Sequence, residues 1–248
     1  MERQRIGAAV VDGAIFYRGP SMIDGSPIVG VVTGLRKAST NAKTGGMLQS
    51  YIIRSDVPPQ VAVKDGRDAA VCGTCPLRFN PETGERICYV LTFQGPLAVY
   101  KTLADYPDFD PAMANGRSVR LGTYGDPAAI PIWIWFHVLQ HASHWTGYTH
   151  QWRDRRFARL QALTMASCET VADRARAKAD GWRTFRLATT PEKGEILCPA
   201  SAEAGHRTTC DRCSLCRGSH PTMRDIYIGP HGNGRNPGRQ LIQLQKAS

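Results

Sequence analysis

Between Ser118 and Cys198 strand-like runs alternate with helix-like runs, and this alternation limits the possible folds more than any other feature of the chain. Val119–Thr123, Trp145–Thr149, Ala162–Ala166, Trp182–Ala188 and Glu195–Cys198 are short runs rich in β-branched, aromatic and other apolar residues, the composition of strands. After the first, Asp126-Pro127 supplies an N-cap and a first-turn proline for a helix to about His144, with Ile132, Trp135, Phe136 and Leu139 on its core face. Arg153–Leu160 reads as a short basic helix. Thr170-Val-Ala-Asp173 caps an Ala-rich helix that Gly181 ends. Strands separated by helices return to the same end of the sheet, so they pair in parallel. The expected class is α/β, a barrel-like or open mostly parallel sheet with a cysteine-rich metal knuckle near the C-terminus. A chain of 248 residues is long enough for one such domain spanning 1–248. Its parts are a strand-rich N-terminal region (1–60), the βα repeats (118–198), the knuckle (198–218) and a basic Gly/Asn/Pro-rich tail (229–248).

In parallel sheets ligands collect at the carboxyl ends of the strands. Those ends carry Tyr124, Gly125 and Asp126, then Thr149, His150 and Gln151, then Ser167, Cys168 and Glu169, and finally Cys198. Asp126, His150, Cys168 and Glu169 are therefore the candidate catalytic residues, a set of types suited to acid–base or nucleophilic work. Asp126 would be nucleophile or base and His150 an acid–base or orienting group. Each also has a plain structural role open to it: N-cap for Asp126, loop residue for His150, small core residue for Cys168 and helix-start charge for Glu169.

The last strand runs into the densest chemistry of the chain. Cys198, Cys210, Cys213 and Cys216 fall within nineteen residues, three of them as C-x-x-C-x-x-C and the first followed by Pro199. Four thiolates close a tetrahedral Zn²⁺ shell, and the same spacing matches a [4Fe-4S] cluster. Zinc is the first choice and the cluster the alternative; disulfides or free buried thiols are the non-metal readings. A second group, Cys72-Gly-Thr-Cys75-Pro76 with Cys88, has three thiols. Such a set either recruits a fourth ligand, Cys168 or a histidine, or leaves a position open to substrate. A redox pair and plain reduced thiols compete with that reading.

Eight cysteines and no secretory leader imply a reducing cytosol, and no apolar run is long enough to span a bilayer. Net charge is +10 and the isoelectric point about 9.4, a balance that favours a polyanionic partner. Lys43, Arg153, Arg155 and Arg156 are the candidate nucleic-acid contacts. No Walker A, G-x-G-x-x-G or H-E-x-x-H motif occurs, so nucleotide hydrolysis, dinucleotide binding and zincin chemistry have no support.

Arg120-Leu-Gly-Thr-Tyr-Gly-Asp-Pro127, Trp145-Thr-Gly-Tyr-Thr-His-Gln-Trp152, Gly181-Trp-Arg-Thr-Phe185 and Cys198-Pro-Ala-Ser with Thr-Thr-Cys210 resemble a family of cysteine-rich bacteriophage and prophage proteins of no established activity. With Asn41–Gly45, Cys72–Pro76 and Cys88–Val90 the resemblance covers most of 37–218. It implies a phage protein working in the host cytosol, where nucleic acid is an expected partner. The plan of a small barrel with a late cysteine knuckle is similar, by architecture alone, to transglycosylases that exchange guanine for a 7-deazaguanine base. The leading expectation is an enzyme acting on nucleic acid or nucleotides, at a base. The alternatives are a non-catalytic nucleic-acid-binding module with structural zinc and an iron–sulfur enzyme of radical type.

Overall fold

The computed structural model describes residues 11–39, 41–80, 82–220 and 223–230. Most of the apolar run Ile6–Val11 and the tail beyond residue 230 lie outside them.

Nine strands form one sheet. β1 (Gly13–Pro20), β2 (Pro27–Thr33) and β3 (Leu48–Arg54) are an antiparallel meander. β3 then pairs in parallel with β4 (Ser118–Tyr124), and the parallel order continues through β5 (His144–Thr149), β6 (Met165–Cys168) and β7 (Thr184–Leu187). The last two strands do not follow chain order. β9 (Asp225–Ile228) lies between β7 and β8 (Glu195–Leu197), parallel to both, so β8 is the edge. Among the described residues no ladder joins β1 to β8, and the sheet is open rather than closed.

The strands are largely buried along their length, polar residues included, because both faces of the sheet are covered. One face meets the larger core, with Val119 and Leu121 of β4, Ala166 and Cys168 of β6, and Trp135, Trp152, Phe157 and Trp182 from the connections. The other face carries a second, smaller cluster built on Met47, Met165, Ile226 and the cysteines of the knuckle. Side chains two apart on a strand share a face. In β5, Thr146 points to the knuckle and Tyr148, one step nearer the carboxyl end, lines a cavity; Met165 and Ser167 of β6 divide in the same way. Knuckle and cavity thus share one face of the sheet, the first towards the amino ends of its strands and the second towards the carboxyl ends.

Three local expectations are corrected. The helix after Asp126 splits into a 3-10 turn, Pro127–Ala129, and a short helix, Ile132–Val138, because Pro131 has no N–H to continue the ladder. Of its expected core face, Trp135 is fully buried and Leu139 nearly so, whereas Phe136 is 53% exposed. The basic segment is a 3-10 helix, Arg155–Ala162, closed by Leu163 and Thr164 N–H groups donating to the Leu160 carbonyl. That closure delays β6 to Met165. Thr170 does cap the helix Val171–Ala179, its hydroxyl accepting from the Asp173 N–H at 2.9 Å. Among the described residues no helix is long and apolar enough to cross a membrane.

Candidate active site

The connection from β3 to β4 spans more than sixty residues, and its described residues hold three short α-helices, α1 (Pro59–Lys64), α2 (Ala69–Cys72) and α3 (Gly95–Lys101), and a 3-10 helix, Pro111–Ala114. It brings the three-cysteine group over the carboxyl ends of the parallel strands. Two tethers fix the first turn. The Asp126 N–H donates to the Val71 carbonyl at 2.6 Å, docking α2 on the end of β4. Gln151, just past β5, donates to the Cys72 carbonyl at 3.3 Å and accepts from the Thr74 N–H and hydroxyl at 3.3 and 3.2 Å. Gly73 is required at this turn: its φ is +56°, and a Cβ would stand 2.4 Å from the Gln151 amide. Arg78 clamps the same turn from outside, with one nitrogen on the Gly73 carbonyl at 2.9 Å and the other on Asp68 at 2.5 Å. A tight loop, with the Asn80 N–H on the Glu85 carbonyl, then returns the chain so that the Cys88 N–H reaches the Leu77 carbonyl at 2.8 Å.

Cys72, Cys75 and Cys88 line one cavity of about 170 Å³ together with Asp126, His150 and Glu169. Its remaining walls are mainly aromatic and apolar, with Tyr89, Tyr124, Tyr148 and Phe185 prominent, and Lys43 and Arg120 also reach it. The imidazole Nε2 of His150 is 2.8 Å from Glu169 Oε1 and 3.8 Å from Cys75 Sγ. Burial by itself would lower the His150 pKa; Cys75 and Glu169 outweigh it and hold the ring well above the usual imidazole range. Burial pushes the Cys72 thiol up, and the neighbouring Cys75, Asp68 and Cys88 push it further. Burial likewise raises Cys88, partly offset by Arg86.

Asp126 is committed to positioning. Oδ1 accepts from the Ala128 N–H and the Thr149 hydroxyl at 2.9 and 2.7 Å, and Oδ2 from the His150 N–H at 2.8 Å. The carboxylate caps its 3-10 turn and ties the end of β4 to that of β5. Burial raises its pKa and these donors offset only part of the rise. Cys168 is not on the rim, which corrects its expected place. It is fully buried on the opposite, helix-covered face, with its thiol 3.7 Å from the Ala166 carbonyl and its pKa raised by burial.

Cys198 also lies away from this cavity, with Cys210, Cys213 and Cys216 around a small void of about 10 Å³ whose walls include Thr146 and Ile226. The knuckle is held from several sides. Cys210 N–H donates to the Lys43 carbonyl, Asp211 accepts from the Gly46 N–H, the Cys216 carbonyl accepts from the Gly147 N–H, and Arg183 binds the Leu215 and Gly218 carbonyls. Burial, followed by the other thiols, pushes Cys216 up to about 12, although the Tyr148 hydroxyl hydrogen-bonds it. Tyr148 stacks on Phe185 at 4.2 Å between centroids, so these two rings separate knuckle from cavity. Among the described residues no three His, Cys, Asp or Glu side chains stand close enough as placed to hold a metal ion.

The basic residues divide. Lys43 lines the cavity. Arg153 stacks over Trp152 at 4.1 Å and pairs with Asp173 at 2.6 Å; Arg156 pairs with Asp154 at 2.7 Å; Arg155 is exposed without an ion pair among the described residues. Sequence reasoning missed Arg120, Tyr148 and the supporting role of Gln151. Alternation gave no clean signal for Arg120, because β4 is irregular at Gly122, whose φ is +70°, and its register on β3 shifts there. No protein family, curated protein or solved structure matches the chain.

Proposed function

We propose that this protein is a thiolate-metal enzyme acting on a nucleobase or nucleotide drawn into the cavity over β4 to β7, in the phage setting that the sequence resemblance implies. The observation that carries this reading is that three thiols and the His150–Glu169 pair, from four separate stretches of chain, line one concave cavity at the carboxyl ends of parallel strands. Asp126 and His150 share that cavity, which favours an enzyme over a module in which they would only cap unrelated turns.

Cys72, Cys75 and Cys88 are the proposed ligands, three thiolates leaving one position towards the cavity. Bound there, a metal or cluster supplies Lewis-acid or electron-transfer chemistry. His150 is the proton donor and Glu169 holds its ring. Asp126 positions the His150 backbone and is not needed as a nucleophile. The aromatic walls suit the faces of a base. A cavity of about 170 Å³ is smaller than the ~300–1,000 Å³ that takes a whole drug-sized ligand, so a base in a polymer would enter only by leaving its stack. The second site is assigned a structural Zn²⁺ held by Cys198, Cys210, Cys213 and Cys216. Its small void of about 10 Å³ supports a single ion over a larger cluster.

Anaerobic purification with metal analysis and a visible spectrum tests both assignments. The expected result is one zinc that persists in Cys75→Ser and a second metal, or a brown chromophore bleached by dithionite, that Cys75→Ser loses. Equal metal content and spectrum in the two proteins would remove the catalytic centre.

A further inference from the structure

Among the described residues the buried arginines Arg183 and Arg186 have both terminal nitrogens or a carboxylate pair accounted for, and Arg120 does not. Arg186 binds Glu195 through two nitrogens at 2.9 and 2.6 Å. Arg183 places both terminal nitrogens on carbonyls, those of Leu215, Gly218 and Arg224, and only its Nε is left without a partner. Arg78 and Arg174, less buried, still have Asp68 and Asp225. Arg120 is 8% exposed and has no Asp or Glu partner among the described residues; the acidic groups acting on it are the Tyr89 and Tyr148 hydroxyls and the Cys210 thiol. Its Nη2 makes one 3.3 Å contact to the Tyr89 hydroxyl, and its Nη1 is buried without any hydrogen-bond partner. The Tyr148 ring lies 5.6 Å from the guanidinium carbon.

A buried guanidinium stays charged and costs free energy until an anion or acceptors satisfy it. The two carboxylates of the same cavity are engaged elsewhere, Asp126 by its three donors and Glu169 by His150. Lys43 adds a second positive charge to the lining. The cavity therefore presents a cationic end among aromatic walls, with the thiols and His150 forming another part of its lining.

We propose that Arg120 is the anchor of an oxyanion subsite, and that the cavity takes a small ligand with an aromatic or apolar body and one carboxylate or phosphate group. This rests on the reading of the cavity as a substrate site and adds the charge its ligand must carry. It does not depend on which metal the thiols hold. The planar fork of arginine favours oxyanions that accept two parallel hydrogen bonds, which both groups do.

The test titrates the purified protein with phenyl phosphate, benzoate and the neutral benzamide, read by calorimetry and thermal melting, alongside Arg120→Gln and Arg120→Lys. Metal content is measured in each protein. Saturable binding of one or both anions, with benzamide at least about tenfold weaker, is expected. Phenyl phosphate alone would identify a phosphate subsite and benzoate alone a carboxylate subsite. Arg120→Gln should lose at least about tenfold in anion affinity with metal content unchanged, and Arg120→Lys should retain part of it. Equal affinity for benzamide, no saturable anion binding, or undiminished anion affinity in Arg120→Gln would each overturn the proposal. If Arg120→Gln does not fold, the comparison of anions with benzamide on the wild-type protein decides. Loss of metal in wild-type preparations with anion binding intact would count against the metal reading alone.

Discussion

The two cysteine groups lie on the same face of one sheet and are built in opposite ways. The C-terminal quartet is packed between β5, β9 and the loop at Lys43–Gly46, three of its four thiols are buried, and its void is ion-sized. The trio at Cys72, Cys75 and Cys88 is half-buried, sits on a long crossover with little regular structure, and opens into the main cavity beside the hydrogen-bonded His150–Glu169 pair. Residue type is the same in both groups; packing and access differ. A sealed thiol set can contribute mainly stability, whereas an open one keeps a position for chemistry and is supported by side chains that have no other evident purpose, Gln151 above all.

Replacing a quartet thiol should have the largest effect. Cys198→Ser or Cys213→Ser is expected to destabilise the protein by about 4–5 kcal/mol, the range reached when a structural metal is lost. The segment after Cys198 should become protease-sensitive and one metal equivalent should disappear. Unchanged metal stoichiometry in both variants would end the contrast. Cys75→Ser should do the reverse, removing the second metal while shifting stability by less than about 1 kcal/mol, as expected for a half-exposed side chain outside the core. A collapse in melting temperature as large as that of Cys198→Ser would make the trio structural too.

Gln151→Ala sharpens the comparison by touching the support and no ligand. Freeing the Cys72 carbonyl and the Thr74 N–H should cost about 1–2 kcal/mol and weaken metal retention at the trio alone. Metal content read together with thermal unfolding separates the two effects. For nucleic acid, replacing Arg153, Arg155 and Arg156 together should lower the log–log salt slope by roughly 0.9 on duplex, one contact's worth. Arg153 and Arg156 are already held by Asp173 and Asp154, which leaves Arg155 to meet phosphate. No salt-dependent affinity for any strand would make the charge a solvated face. Cys168→Ala should leave metal content unchanged and cost up to about 1.5 kcal/mol in stability alone, because its thiol packs in the helix-side core away from both cysteine groups.

The sequence by itself determined the local pieces. Strand composition and caps placed β4 to β8 within a few residues, since apolar runs, Asp126-Pro127, Thr170 and Gly181 act over one turn or one ladder step. The rule that parallel strands gather ligands at their carboxyl ends placed Asp126, His150 and Glu169 together. Cys168 failed because residues next to each other on a strand face opposite ways: Ser167 lines the cavity and Cys168 turns into the core. Only the tertiary structure decided the rest. The insertion of β9 between β7 and β8, the return of the β3–β4 crossover over the strand ends, and the isolation of Arg120 from any carboxylate all depend on contacts across tens of residues. No local periodicity records such contacts. They follow from which surfaces can be buried together once the pieces exist, and that is settled by packing in three dimensions.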